Sequence, residues 1–224
     1  MTMLWVSHFS ILRGQLREDG PFTAVYLQEG AEGGPDLYLV VEPALPGSEE
    51  FCADVAAVIG ESFHRERLSL TGGLLRALRA AHRDLKSWNG RSLREQWVAA
   101  GVSALTVRGQ EAYLAQVGPA LAYAFRGRTL RPLQPHIPEA QGPLGLADDI
   151  YPAFTRHELA AGDRLLLASS NLAEALSQER LRELMGQRPE RGLSLLYRWV
   201  REMDWFAAIL LVVTDDPARE EGEG

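Results

Sequence analysis

The chain has one cysteine, Cys52, in 224 residues. No internal disulfide can form, and the expectation is a reducing cytoplasm. Cys52 lies among Phe51, Ala53 and Val55, a setting for a packed thiol rather than a nucleophile. No apolar run reaches the length of about 18 residues that a membrane helix needs, and the first residues lack the basic-then-apolar order of a signal peptide. Basic residues are outnumbered, 23 to 30, giving a formal net charge of −7. That balance argues against a nucleic-acid backbone as partner. The arginines between Arg65 and Leu78 alternate with leucines and read as the wet side of a helix. Histidine is sparse too, with five in the chain. His8, His64, His82, His136 and His157 make neither an H-E-x-x-H nor any short-spaced pair, so each reads as structural or surface rather than as a metal ligand. No G-x-S-x-G frame surrounds a serine.

What remains is a globular composition, 46% hydrophobic and 24% charged, enough for one large domain over residues 1–214. The tail 215–224, acidic and Gly-rich, reads as flexible. Residues 3–13 read as a strand, and 23–28 and 36–41 as a pair of strands around a turn at 30–35, with Pro43 and Pro46 stopping the second. Ser48 stands where it can cap a helix, with Glu49 and Glu50 in the first turn. Phe51, Val55, Val58, Ile59 and Phe63 follow at helical spacing, and a second helix starts near Thr71. Residues 91–96 read as a loop. Four β runs then follow, 102–107, 111–116, 121–125 and 129–133, with turn glycines Gly109 and Gly127; they read as one antiparallel meander. Residues 135–152 are irregular. Strands at 154–159 and 164–168, helices at 172–176, 178–185 and 191–202, and a wholly apolar strand at 206–213 complete the chain. Strands and helices do not alternate regularly, so two antiparallel sheets with helices outside are expected rather than one parallel sheet.

Particular segments carry a resemblance: Arg17-Glu18-Asp19; Glu42-Pro-Ala-Leu-Pro-Gly47; Ala100-Gly-Val-Ser-Ala-Leu105; Val117-Gly-Pro-Ala-Leu-Ala-Tyr123; Gly162-Asp-Arg-Leu-Leu-Leu-Ala-Ser169 continuing to Leu172; and Asp204-Trp205 before the last strand. In this order, over about residues 10–214, the chain resembles the PP2C family of metal-dependent protein serine/threonine phosphatases. The resemblance implies an α+β fold, a four-layer α-β-β-α sandwich of two antiparallel sheets flanked by helices. It also implies two Mn²⁺ or Mg²⁺ ions at one edge, a metal-generated hydroxide and an Arg on the phosphate.

Carried over position by position, the family's Asn-Glu-Asp becomes Arg17, Glu18 and Asp19, and the phosphate contact falls on Arg17 or Arg13. Glu42 stands for the bridging Asp and Pro43 for the Gly beside it. Pro119 and Ser170 replace two further acids. Asp204 keeps the last Asp, and Trp205 replaces Asn. Glu18, Asp19, Glu42 and Asp204 are therefore the candidate metal ligands. Each also has a plain alternative: loop acids in water for Glu18 and Asp19, a strand-end acid in water for Glu42, a turn or cap for Asp204. Ser169, Ser170 and Asn171 read as the cap of the helix at Leu172.

Two hard cations want several oxygen donors at ~2.1 Å, and a lost carboxylate leaves positive charge uncancelled. The expectation is a pseudophosphatase-like regulatory or binding module for a phosphoprotein or regulatory protein, cytoplasmic and active in signalling, with neither nucleic acid nor membrane as partner. The alternative is an active, divergent Mn- or Mg-dependent phosphatase with a reduced carboxylate site.

Overall fold

A computed structural model describes residues 3–27, 34–65, 69–133 and 142–214. The tail 215–224, His136, and parts of the expected turn at 30–35 and irregular stretch at 135–152 lie outside the described residues.

Eleven strands and five α-helices are described. β1 is Met3–Leu12, β2 Gln15–Arg17, β3 Thr23–Tyr26 and β4 Asp36–Pro43; α1 is Cys52–His64 and α2 Leu70–Asn89. β5 is Ala100–Arg108, β6 Glu111–Val117, β7 Leu121–Arg126, β8 Thr129–Pro132, β9 Ala153–Glu158 and β10 Arg164–Ala168. α3 is Leu172–Ala175, α4 Gln178–Met185, α5 Pro189–Val200 and β11 Trp205–Thr214. The strands form a six-stranded sheet, β2-β1-β11-β10-β7-β8, and a five-stranded sheet, β3-β4-β5-β6-β9. Every pairing is antiparallel.

Side-chain alternation divides the layers. Along β10 and β11, Leu165, Leu167, Ala207, Ile209, Leu211 and Val213 join the core shared with the five-stranded sheet. Their neighbours Leu166, Ala168, Phe206, Ala208, Leu210 and Val212 join a second core with α3, α4 and α5. A strand buried on both faces has no polar alternation left, which is why β11 is apolar throughout. On the opposite side Leu74, Ala77, Leu78, Ala81 and Leu85 of α2 face the five-stranded sheet with Val55, Ile59 and Phe63 of α1, the spacing of a one-sided helix. The layers run helix, sheet, sheet, helix, as expected. Among the described residues no helix is long and apolar enough to cross a membrane.

Four local expectations are corrected. The four β runs after residue 100 are not one meander. β5 and β6 form a hairpin in one sheet, and β7 and β8 a hairpin in the other. The chain changes sheets at Gly118-Pro119-Ala120, where Gly118 is left-handed (φ 74°) and Pro119 has no N–H to continue a ladder. The Gln116 amide spans the corner, donating to the Ala120 carbonyl and to Ser103 Oγ, both at 3.0 Å. β4 runs two residues past the expected end at Val41 and finishes on Pro43, paired with Ala100; a proline in the last strand position costs no ladder bond. Ser48 caps nothing with its side chain. Its Oγ accepts the Ala99 N–H at 3.0 Å, and α1 is entered through a 3₁₀ turn, Glu49–Phe51. The expected loop 91–96 ends in a 3₁₀ turn, Arg94–Gln96. Cys52 is fully buried as expected, its thiol donating to the Ser48 carbonyl.

Candidate functional site

Glu42 is the next-to-last residue of β4, opposite Gly101 of β5. Its side chain is fully buried, not turned to water. Gly101 makes room for it: a Cβ there would lie 3.0 Å from Glu42 Cγ and 2.8 Å from Pro119 Cδ. The carboxylate reaches across to the residue that follows β10 in the other sheet. Ser170 N–H donates to Oε2 at 2.6 Å and Ser170 Oγ–H to Oε1 at 2.7 Å. Burial pushes the carboxyl up to about 7, while the two Ser170 bonds pull the other way. A desolvated carboxylate favours its neutral form unless charge or donors compensate.

The neighbours of Ser170 do not cap α3: Asn171 stands at the cap position before Leu172 without a side-chain cap bond. Ser169 Oγ donates to Asn171 Oδ1 at 2.7 Å and accepts the Ala207 N–H at 3.1 Å. Asn171 Nδ2 donates to the Trp205 carbonyl at 2.7 Å. These three polar residues therefore tie the end of β10 to β11 and to Glu42. Local sequence favours capping, but partners 34 to 128 residues away take the side chains instead.

Arg13 and Asp204 meet at the same end of the sheets. Arg13 and Gly14 form the two-residue turn between β1 and β2, both left-handed (φ 54° and 70°), the turn whose twist suits a hairpin. Gly14 N–H donates to the Asp204 carbonyl at 3.1 Å, which fixes the turn beside the start of β11. Leu12, Arg13, Pro21, Gly47, Glu49, Glu50 and Asp204 line a cavity of about 590 Å³. The Arg13 guanidinium stands 3.6 Å from Glu50 Oε1. Glu49 and Glu50 thus enter the candidate site as cavity residues, although their sequence position suggested only favourable acids in a first helical turn.

Arg17, Glu18 and Asp19 are exposed at and just after the end of β2. Arg17 Nη2 donates to Gln15 Oε1 at 3.2 Å. None of the three is among the described residues lining the cavity. Among the described residues, no three of His, Cys, Asp or Glu are grouped so as to hold a metal ion. Glu42, the most buried of the four candidate ligands, has both oxygens engaged by Ser170. A pair of hard divalent cations needs a shell of oxygen donors turned toward it, and the described residues do not fit that requirement.

No protein-family model matches the sequence, and no curated protein matches it. Solved structures do. The serine/threonine phosphatase of S. agalactiae is 15% identical over 94% of this chain and 100% of its own, with a TM-score of 0.75. The serine/threonine phosphatase Stp1 of Staphylococcus aureus is 14% identical over 96% of each chain, with a TM-score of 0.74. The catalytic domain of the serine/threonine phosphatase PstP, solved with two manganese ions, is 18% identical over 96% of this chain and 100% of its own, with a TM-score of 0.73. At such identities the likeness speaks for the backbone and not for the chemistry carried on it. In its fold, from β1 to β11, the chain is PP2C-like.

Proposed function

We propose that this chain is a non-catalytic PP2C-like module, which keeps the sandwich as a scaffold for binding a phosphoprotein or regulatory protein. The observation that carries the proposal is the Glu42–Ser170 pair. A carboxylate that bridges two cations must present its oxygens to them. Here each oxygen accepts a bond of 2.6 or 2.7 Å from Ser170, inside the protein and out of water. Turning Glu42 toward a cation would break both bonds and leave the Ser170 N–H without its acceptor, a cost of ~1–3 kcal/mol for each group left unpaired. The carboxylate acts instead as a strut between the two sheets.

A second reading has one observation in its favour. Arg13 and Asp204 share a cavity with Glu49 and Glu50, so a positive group for a phosphate borders the same space as acidic residues, although these acids are not grouped so as to hold a metal ion. An active phosphatase with a reduced site would use that space and not Glu42.

Manganese titration by calorimetry, with a phosphopeptide hydrolysis assay, separates the two. The binding module gives no binding heat at millimolar Mn²⁺ and no turnover. Metal-dependent turnover that disappears in Asp204→Asn overturns the proposal and selects the second reading.

A further inference from the structure

The segment from Pro143 to Ile150 has no helix and pairs with the sheets only at a single bridge, between Leu144 and Ala100. Yet Leu144 is fully buried and Ile150 nearly so. Leu144 and Ala100 exchange two backbone bonds, at 2.9 and 3.2 Å. The other anchor is α2. Gly145 N–H donates to Nδ1 of His82 at 3.1 Å, and the Gly145 carbonyl accepts from Asn89 Nδ2 at 3.0 Å. Gly145 is left-handed (φ 97°), and a Cβ there would lie 2.8 Å from the Val98 carbonyl, so the fit admits no side chain. Two outer ion pairs, Lys86–Asp148 at 2.9 Å and Arg79–Asp149 at 3.6 Å, are solvated and add little.

His82 is 3% exposed. Because Gly145 donates to Nδ1, that nitrogen must keep its lone pair, and the single ring proton sits on Nε2. A proton added to Nδ1 turns the acceptor into a donor facing a donor. The Gly145 bond is lost, and a charge is placed in a buried site beside Lys86. We propose that His82 is a protonation-operated latch, which holds Pro143–Ile150 against α2 at neutral pH and releases the segment in mild acid.

The groups around the ring agree with that direction. Burial and Lys86, one turn along α2, push the imidazole below its ordinary range; the backbone at Asp148 and Ala147 and the carboxylate of Asp149, itself paired with Arg79, act the other way. The sign follows. The released ring binds a proton near the ordinary histidine value of about 6.5 and the latched ring only at lower pH. The latch is therefore at full strength above ~6.5 and weakens by up to tenfold in population for each pH unit below it. The segment also bears on the corner between the sheets. A Cβ at Gly118 would lie 3.4 Å from Pro143 Cα and 3.0 Å from Gly101 Cα, and Gly101 faces Glu42.

Amide hydrogen exchange of the full chain between pH 7.5 and 5.0, corrected for intrinsic rates, tests the latch. Protection of Leu144 and Gly145 is expected to fall by up to tenfold per pH unit below ~6.5, with the β11 amides unchanged. The Gly145 amide and the His82 ring are expected to titrate together in NMR, with a midpoint below 6.5. His82→Gln, whose amide oxygen can still accept from Gly145, keeps protection and loses its pH dependence; if that variant does not fold, co-titration in the unaltered protein decides. Protection that is flat with pH, a loss shared by β11, separate midpoints, or the same acid loss in folded His82→Gln each overturn the proposal.

Discussion

Replacing Glu42 with Gln tests the buried strut directly. The folded carboxyl titrates near 7 against an ordinary 4.5, so the native state holds a proton that the unfolded chain has released. A raised folded value stabilises the protein below the unfolded value and loses that advantage as pH rises through the folded one. Between 4.5 and about 7 the loss amounts to about 3 kcal/mol, at ~1.4 kcal/mol for each pH unit. At pH 5 less than 1 kcal/mol has been lost; at pH 8 nearly all of it has, so the change between them is about 2.5 kcal/mol. Gln is the same shape and always neutral. Its Oε1 can accept the Ser170 N–H, and Ser170 Oγ can accept from its Nε2, so the 2.6 Å contact survives unchanged in direction and the 2.7 Å contact survives reversed. Glu42→Gln is therefore expected to match the unaltered protein within about 1 kcal/mol at pH 5 and to exceed it by ~2–3 kcal/mol at pH 8. In thermal unfolding that is roughly 5–10 °C for a chain of this size. Urea denaturation of both proteins at the two pH values measures it, and titrations of other carboxylates cancel in the difference. A difference independent of pH, or a Gln variant less stable at pH 8, refutes the account of Glu42 as a desolvated strut.

Two further variants probe other joints of the sandwich. Arg126 Nε donates to Asp163 Oδ1 at 2.6 Å and its Nη2 to Oδ2 at 2.5 Å. Burial pushes Asp163 up, but these bonds and the Ala160 N–H outweigh it and hold the carboxyl below its ordinary value. Arg126→Ala is expected to cost ~2 kcal/mol near neutral pH, less than for a fully buried pair because the guanidinium is half exposed. The cost shrinks as pH falls through the lowered Asp163 value, which denaturant curves at pH 7 and 3 would show. Gly101→Ala puts a Cβ 2.8 Å from Pro119 Cδ and 3.0 Å from Glu42 Cγ, and a destabilisation of ~1–3 kcal/mol is expected by urea midpoint.

Periodicity carried the layers and stopped short of the joints. The spacing of Leu74, Leu78, Ala81 and Leu85 marks one face of α2, and the unbroken apolar run of β11 marks a strand covered on both sides; both patterns repeat within a few residues and are visible in a short window. The sheet exchange at Gly118-Pro119 has no such signature. Two hairpins separated by a short turn look the same whether they share a sheet or not, and what decides is that β10, 39 or more residues further on, takes the edge of β7. The candidate site fails for the same reason. Glu42 looks like a strand-end acid until Ser170, 128 residues later, supplies both its donors. Glu49 and Glu50 look like helix-start acids until Arg13 and Asp204 come to line one cavity with them.

The pairing of β1 with β11, from Met3 opposite Thr214 to Leu12 opposite Trp205, sets a timetable for assembly. Every strand of the five-stranded layer has been synthesised once Glu158 is made, well before β11, so that half, with its two helices, can close early. β1 must wait for a partner some two hundred residues downstream. Ring closures that long are entropically costly and slow, so the first strand synthesised is the last to be satisfied, and its waiting edge is where a nascent chain of this design is most exposed to mispairing.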